Sequence, residues 1–594
     1  MTKNLQSFYS HRKNDFTVSL VQVTKAIKEI STIRLIVAGL FLLVFYFAFS
    51  IAELFYLLPI LLIIFMILVR KHSTRFAEKT HLENLVKINT LELQALEGNL
   101  SGFSNGAEFI DPHHSYTHDL DIVGERSLFQ YMNRTTTLSG KKLLAYSLAN
   151  PLPDVNHIVA RQQAAKELSL KTDFRQHFQA TGMELEELKS DNDQLLEWIK
   201  EKPFLYGNMF LSILLWVLPP LTILSIIFSF FFDNFLTIAL VLAGVQWTTL
   251  SARLKRVNAF HQYISRKKNI LDKYARLLHL FGKEQFETPL LQQLKTKATQ
   301  ADERIKSLAE LVSALDARLN FMTNLVVNST LLYDLQCIYR LEKWKEDNAS
   351  QLQVWLDVIN ETDVLCSLGT FSYNHPDFCF PSITSDQKIV ATSLGHPLLA
   401  HEGCVTNNVS IGERQNILVI TGANMAGKST FLRTLGTNLV LALSGAPVYA
   451  TSFVCPIINI RSGMRTADSL QDHQSYFYAE LNRLKRIMDE LREGRPLFIL
   501  LDEILKGTNS TDKQAGSIAL VKQLVSYSCI GLIATHDLAL GDLEKEYPNH
   551  VKNYCFEPTI ENDQLSFDYT LKEGLAQKMN ATFLMKKMGI IPPA

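Results

Sequence analysis

The chain has 594 residues, with Lys+Arg and Asp+Glu both at 59 and no net charge. The length implies roughly four domains of ordinary size, and the neutral balance gives a polyanion-binding function no help from bulk charge, so any nucleic-acid contact needs a local patch. The seven cysteines (Cys337, Cys366, Cys379, Cys404, Cys455, Cys529, Cys555) are scattered without C-x-x-C spacing. That speaks against a disulfide framework or a cysteine metal site and fits reduced thiols in the cytosol.

Four stretches are apolar enough to cross a bilayer. Ile33 to Phe49, with Arg34 at its edge, and Leu54 to Val69 are separated only by Ser50-Ile-Ala-Glu53; Met209 to Phe232 and Phe235 to Ala252 are joined at Asp233-Asn234. A span takes about 20 residues, roughly 17–25, so the first pair is near the short limit, and buried core helices are the competing reading. Charge placement favours the membrane. Lys25, Lys28 and Arg34 precede the first pair and Arg70, Lys71 and Arg75 follow it; Lys200 and Lys202 precede the second, with Arg253, Lys255 and Arg256 after it. Neither turn carries a Lys or Arg. By the positive-inside rule both hairpins dip out and back, leaving the N-terminus, the middle and the C-terminal half in the cytoplasm. The expected location is the cell (inner) membrane, multi-pass, with the lipid bilayer as a partner through two hairpins. The first hairpin lies too deep, and lacks the small-residue cleavage site, for a signal peptide.

Phe76 to Leu100 is charged and helical in pattern, and a Gly-, Ser-, His- and Asp-rich loop follows from Ser101 to Asp119. Asp119 to Leu168 reads as helices broken at Leu138-Ser-Gly140 and Pro151-Leu-Pro153, with Asp154 as an N-cap. From Ser251 to about Leu356 the pattern is helical, with Ile305, Leu308, Val312, Leu315, Leu319 and Met322 in one apolar stripe. Such helices act as levers or packing scaffolds, and Trp344 and Trp355 read as core anchors. The helices before and after the second hairpin are expected to pack as one domain.

The most informative stretch is ILVITGANMAGKST, Ile417 to Thr430. A β-branched strand runs into Gly422, Ala423, Asn424, Met425, Ala426, Gly427, Lys428, Ser429 and Thr430, and a helical pattern follows. This is the G-x-x-x-x-G-K-[ST] phosphate loop between strand and helix. Its glycines let backbone N–H groups turn inward onto a polyphosphate, Lys428 supplies a point charge, and Ser429 offers a hydroxyl to Mg²⁺. Downstream, Leu497 to Leu501 is an apolar strand ending in Asp502-Glu503. Asp502 is placed to hold Mg²⁺ and Glu503 to orient or deprotonate the attacking water. A second apolar strand, Ile530 to Thr535, ends at His536, a position suited to a γ-phosphate sensor or to a plain strand-end cap. ATP and Mg²⁺ are the expected substrate and cofactor.

Other residues choose a family. Leu128-Phe-Gln-Tyr-Met-Asn133-Arg134-Thr135, Gly140, Leu143-Leu144, Pro151-Leu152, Ile158 and Arg161 resemble the core-domain start of the MutS family. Leu394-Gly-His396-Pro397-Leu398 and Val405-Thr-Asn-Asn408-Val409 resemble its approach to the nucleotide, although His396 reads equally as a turn residue before Pro397. Asp468-Ser-Leu470 with Ser475-Tyr-Phe477-Tyr-Ala-Glu480, Gly507-Thr508-Asn-Ser510, and the tail with Tyr569, Leu571, Gly574 and Ala581 are similar to that family's signature and terminal segments. No Leu-Ser-Gly-Gly-Gln lies between the two ATPase motifs, unlike a transporter cassette. Three departures leave the site chemistry intact: Ala423 and Ala426 stand where the family commonly has Pro and Gly, and Lys506 where it commonly has Arg.

The resemblance, over about residues 116–170 and 330–590, implies a homodimer that sandwiches two nucleotides, with Ser475 reaching the partner's γ-phosphate. It also implies DNA as a partner, held by backbone or shape contacts. About a hundred residues precede the core, and they are largely a hairpin, so the mismatch-reading and connector domains are expected to be missing. Phe76-Ala-Glu78 matches the mismatch wedge only by chance. The expected fold is an α/β P-loop (ABC-like) ATPase domain plus an all-α lever/core domain, with two transmembrane helical hairpins. The divisions are 1–75 (first hairpin), 76–200 (core start), 201–256 (second hairpin), 257–375 (core return) and 376–594 (ATPase). The alternative is a membrane ATPase acting on a protein partner or on its own hairpins, without DNA.

Overall fold

The computed structural model describes residues 2–594 apart from 189, 265–266, 317–320, 401–402, 413, 466–475, 507, 528, 562–563, 578–589 and 591–594. The N-terminal hairpin is much longer than its apolar tips. One helix runs Thr2–Ala48 and its partner Leu57–Leu96, joined by a turn and the short 3₁₀ helix Ala52–Tyr56. At 1.5 Å per residue these are about 70 and 60 Å long. The charged helix expected separately at 76–100 is therefore the continuation of the second apolar segment. No breaker lies between them: Pro59, at the helix start, withholds an N–H that has no helical partner anyway. Phe76-Ala-Glu78 sits in this helix, where Glu78 pairs with Arg75.

The base of the hairpin docks on the helical core. The Tyr9 hydroxyl, buried, donates to Asn374 Oδ1 at 2.6 Å, Arg12 Nε donates to Gln176 at 2.9 Å, and Leu85 and Ile88 pack with Ala180.

The expected break at Leu138–Gly140 is instead a helix start. Thr137 caps Leu138–Ala149 by accepting the Gly140 N–H at 3.0 Å. Gly140 serves close packing: a Cβ there would meet Thr137 Oγ1 at 2.6 Å and Asp363 Oδ2 at 2.7 Å. Asp154 does cap Val155–Leu170. That helix packs on Tyr333–Asn374, a 42-residue helix. One apolar core joins residues from before the second hairpin (Leu168, Phe178, Trp198) to residues after it (Ile305, Leu308, Val312, Leu315, Leu365). Trp344 and Trp355 are buried, and Trp344 Nε1 donates to Arg304 O at 2.9 Å. Of the predicted stripe, Leu319 and the Met322 side chain lie outside what the structure describes.

The second hairpin, Met209–Phe228 and Asn234–Ser251, carries Pro219 and Pro220 inside its first helix. Among the described residues four helices are long and apolar enough to cross a membrane, and they belong to these two hairpins. A carboxylate fixes the second hairpin's base to the long helix. Buried Glu342 accepts the backbone N–H groups of Phe204, Leu205 and Tyr206 at 2.8–2.9 Å. Lys345 Nζ, one turn on, donates to Trp198 O and Glu201 O.

The C-terminal part is α/β. Its six-stranded sheet runs in the order Lys572–Glu573, Val551–Phe556, Ile417–Gly422, Cys529–Thr535, Leu497–Asp502, Asn459–Gly463, parallel except for the first strand. The central strands are buried throughout, as their unbroken apolar runs require. A four-stranded sheet packs beside it, in the order Ser382–Thr384, Ser452–Pro456, Lys388–Leu394, Asn407–Gly412.

Candidate nucleotide site

Three adjacent parallel strands end at one place. Ile417–Gly422 delivers the glycine-rich loop, Leu497–Asp502 delivers Asp502 and Glu503, and Cys529–Thr535 delivers His536. Carboxyl ends of parallel strands are where α/β folds place ligands.

The loop needs its glycines. Gly422 has φ +149°, and a Cβ there would lie 2.5 Å from Phe556 O; Gly427 has φ +107° and forms the N-cap of Lys428–Leu443. Met425, exposed, also has φ +66°, a cost that a loop over-determined by its neighbours can hold. Ala423 and Ala426 are buried, while Asn424, Ser429 and Thr430 are exposed. The first turn of a 16-residue helix thus offers free N–H groups at its positive end.

Lys428 Nζ donates to Gly422 O at 2.8 Å and Ala423 O at 2.9 Å, and lies 3.3 Å from His536 Nε2. Burial lowers its pKa, while the charges of Glu503 and Asp502 oppose that shift. Glu503 sits at φ +52°, its N–H anchored to Ala534 O at 2.9 Å. Its Oε1 is 2.8 Å from His536 Nε2 and its Oε2 is 3.5 Å from Lys506 Nζ. The hydrogen bond from His536 is the main reason its carboxyl is held down at about 2, with Lys506 adding to it. The structure thus brings Lys428, Glu503 and His536 into one hydrogen-bonded group beside Asp502. The donor set next to the loop, the Ser429 hydroxyl and the Asp502 carboxylate, is all oxygen and suits a hard divalent cation.

His396 takes the turn role. Its Nδ1 accepts the Leu398 N–H at 3.2 Å, and burial, helped by the Arg433 charge, pushes its pKa down to about 4. Ser475 lies outside the described residues, as do Asp468 to Leu470, Gly507 and Ala581. The tail residue Tyr569 comes close to the loop: a Cβ on Gly427 would be 3.2 Å from its ring. Asn407 holds that tail by accepting the Leu571 N–H and donating to Tyr569 O.

Three contacts carry no local signal in the sequence. Glu480 Oε1 accepts the Leu505 N–H at 2.6 Å, fastening helix Tyr476–Arg492 to the turn after Glu503. Asp119 reaches Ser462 in the sheet, and Asp121 reaches Arg433 on the helix after the loop, each from more than 300 residues away. Glu480 lies in the segment Ser475 to Glu480 that resembles the family signature; nothing local marks the two aspartates.

Comparison with known proteins matches the model of MutS domain III over residues 111–369 and that of MutS domain V over residues 418–592. The chain belongs to the MutS family. The DNA mismatch repair protein MutS of Thermotoga maritima is 27% identical over 339 residues, covering 56% of this chain and 39% of that protein. The protein of the same name from Desulfatibacillum aliphaticivorans is 30% identical over 354 residues, covering 58% and 37%. That from Clostridioides difficile is 30% identical over 305 residues, covering 50% and 29%. The chain therefore spans well under half the length of these curated relatives. In this MutS-family chain the domain III match runs across the second hairpin, and the domain V match begins one residue inside the strand that leads to the loop.

Proposed function

We propose that the chain is a membrane-anchored ATP hydrolase that works as a dimer and converts nucleotide binding into movement of its helical core. The observation that carries this reading is the meeting of Lys428, Asp502, Glu503 and His536 at the glycine-rich loop. Gly422 to Thr430 would wrap the phosphates with backbone N–H groups, and Lys428 would exchange its two carbonyl partners for phosphate oxygens. Ser429 and Asp502 would hold Mg²⁺, which supplies positive charge against the phosphate oxygens. Glu503 is ionised at neutral pH and is the group to orient or deprotonate the attacking water, with His536 fixing its direction. Ser475 would complete the partner's site, as the family resemblance implies.

The two hairpins, with basic residues on their near sides and none in their turns, support a multi-pass location in the cell (inner) membrane with the remainder cytoplasmic. The relatives' printed name supports DNA as what the dimer acts on, through backbone or shape contacts. A second reading is favoured by the Glu342 and Lys345 joint. The long helix is tied to the second hairpin at one end, so its movement would be delivered into the bilayer without DNA.

The test is ATPase activity of the purified chain, in detergent and in vesicles, with and without duplex, branched and single-stranded DNA. Stimulation by one DNA form supports the first reading, and dependence on the bilayer alone supports the second. Absence of turnover in every condition removes both.

A further inference from the structure

The segment Ser115 to Ile122 lies just before the helix Leu128–Met132 and bonds to Ser462 in the edge strand of the sheet that carries the loop. Asp119 is fully buried and accepts from Ser462 Oγ at 2.7 Å, Met464 N at 3.1 Å and Arg465 N at 3.1 Å, while Arg483 Nη1 lies 3.1 Å away. Two residues on, Asp121 takes two guanidinium groups. Arg433 Nη1 meets its Oδ2 at 2.5 Å, and Arg465 meets Oδ1 at 2.6 Å and Oδ2 at 3.1 Å. A carboxylate has about four lone-pair sites, and charge-assisted bonds of this kind are the strong ones. Asp121 has φ +52°, in the left-handed region that aspartate enters more readily than most non-glycine residues.

These contacts join parts that a moving nucleotide loop would have to connect. Arg433 is five positions after Lys428 on the same helix. Between the aspartates, Leu120 lies against that helix where it carries Gly436: a Cβ there would meet both Leu120 methyls at 2.9 Å. Leu120 thus seats the segment on the helix, between the two aspartates that hold it there. On the core side, Tyr116 Oη donates to Leu148 O at 2.8 Å and Asp121 O accepts the Leu128 N–H at 3.0 Å. The far end of the loop helix is also tied to the core: Leu152 N donates to Leu443 O and Ser444 Oγ to Ser147 O.

We infer that Asp121 is a positioning residue that couples the nucleotide loop to the helical core, through its shared grip on Arg433 and Arg465. With the far end of the helix pinned by Ser147 and Leu152, movement at the loop end tilts the helix against the core only while Asp121 holds. This inference rests on the nucleotide reading above.

The test uses the full chain in detergent with a non-hydrolysable ATP analogue and Mg²⁺, comparing wild type, Asp121→Asn and Asp121→Glu. Hydrogen exchange is followed in the loop helix (Lys428–Leu443) and in the core helices Leu138–Ala149 and Tyr333–Asn374. In the wild type the analogue should change exchange in both places. In Asp121→Asn the loop response should remain, with affinity within about threefold, while the core response disappears and kcat falls about tenfold at nearly constant KM. Asp121→Glu should restore part of the core response. If Asp121→Asn does not fold, Arg465→Gln carries the same expectation, because it removes the other half of the grip. Persistence of the core response in the folded variant overturns the inference and leaves the nucleotide reading standing. Joint loss of affinity, loop response and thermal midpoint also overturns it, by marking a merely structural role. A wild type with no loop response overturns the nucleotide reading itself, and the inference with it.

Discussion

On the proposed function, replacing Glu503 by Gln should separate ATP binding from hydrolysis. The side chains are nearly isosteric, the anchoring bond from Glu503 N to Ala534 O belongs to the backbone, and a glutamine oxygen can still accept from His536. What is lost is the negative charge and the basic lone pair. With its carboxyl held down at about 2, Glu503 is fully ionised from pH 5 to 9, so the variant removes a base present throughout that range. The depressed value also fixes the sign of its effect on stability. The contribution is present above the unfolded carboxyl value of about 4.3 and is lost as pH falls through about 2, so melting between pH 5 and 8 should be insensitive to it. A positioned acid–base group contributes about 10²- to 10⁴-fold, so kcat should fall at least about 100-fold, or about 2.7 kcal/mol of barrier. ATP affinity should change by less than about threefold. Phosphate release in single-turnover mixing, alongside titration with a fluorescent ATP analogue, reads both quantities. Turnover within about threefold of the wild type would take Glu503 out of the chemistry.

Other consequences follow from the proposed function and from the hairpin joint. Mixing Ser475→Ala with Lys428→Ala subunits should restore partial ATPase activity, because one heterodimer site then combines an intact loop with an intact Ser475; activity that stays flat despite proven subunit exchange argues for action in cis or for obligatory coupling of both sites. Cysteine tags at Ser50 or Asn234 should react with an impermeant reagent from outside intact cells, and a tag at Lys200 should not; outside labelling at Lys200 would overturn the two-hairpin topology. Glu342→Ala strands one buried and two part-buried N–H groups, at about 1–3 kcal/mol for the buried one if it stays unpaired and less for the other two. Limited proteolysis between residues 200 and 208 should therefore speed up at least about tenfold, and an unchanged cleavage rate contradicts a rigid joint between hairpin and long helix.

The loop and its two carboxylates were legible because each motif is local: a strand, a fixed spacing and a helix fall within about fifteen residues. His536 was legible only as the end of an apolar strand, and its bond to Glu503 needed the sheet order that places those strands side by side. The hairpin tips followed from hydropathy, which does not register where a helix stops. Nothing between Lys25 and Arg34, or between Val69 and Phe76, breaks the helix, so the stalks run on to a docking site formed by Tyr9 and Arg12. Gly140 was misread because glycine both ends helices and permits close packing; Thr137 as cap and Asp363 as neighbour decide for packing. Asp119 closes the stretch that reads as a polar loop and Asp121 falls in the one that reads as helical, and their partners are more than 300 positions away. Contacts of that range have no periodicity to read.

The measurement closest to the central claim is Mg²⁺-dependent phosphate release from ATP by the purified wild-type chain and by Lys428→Ala. The account predicts turnover by the wild type that chelation of Mg²⁺ abolishes, and an ATP affinity at least about tenfold weaker in the variant, as expected when the loop's point charge is removed. Equal affinity and equal phosphate release in the two proteins, or failure of the wild type to bind ATP, would contradict it.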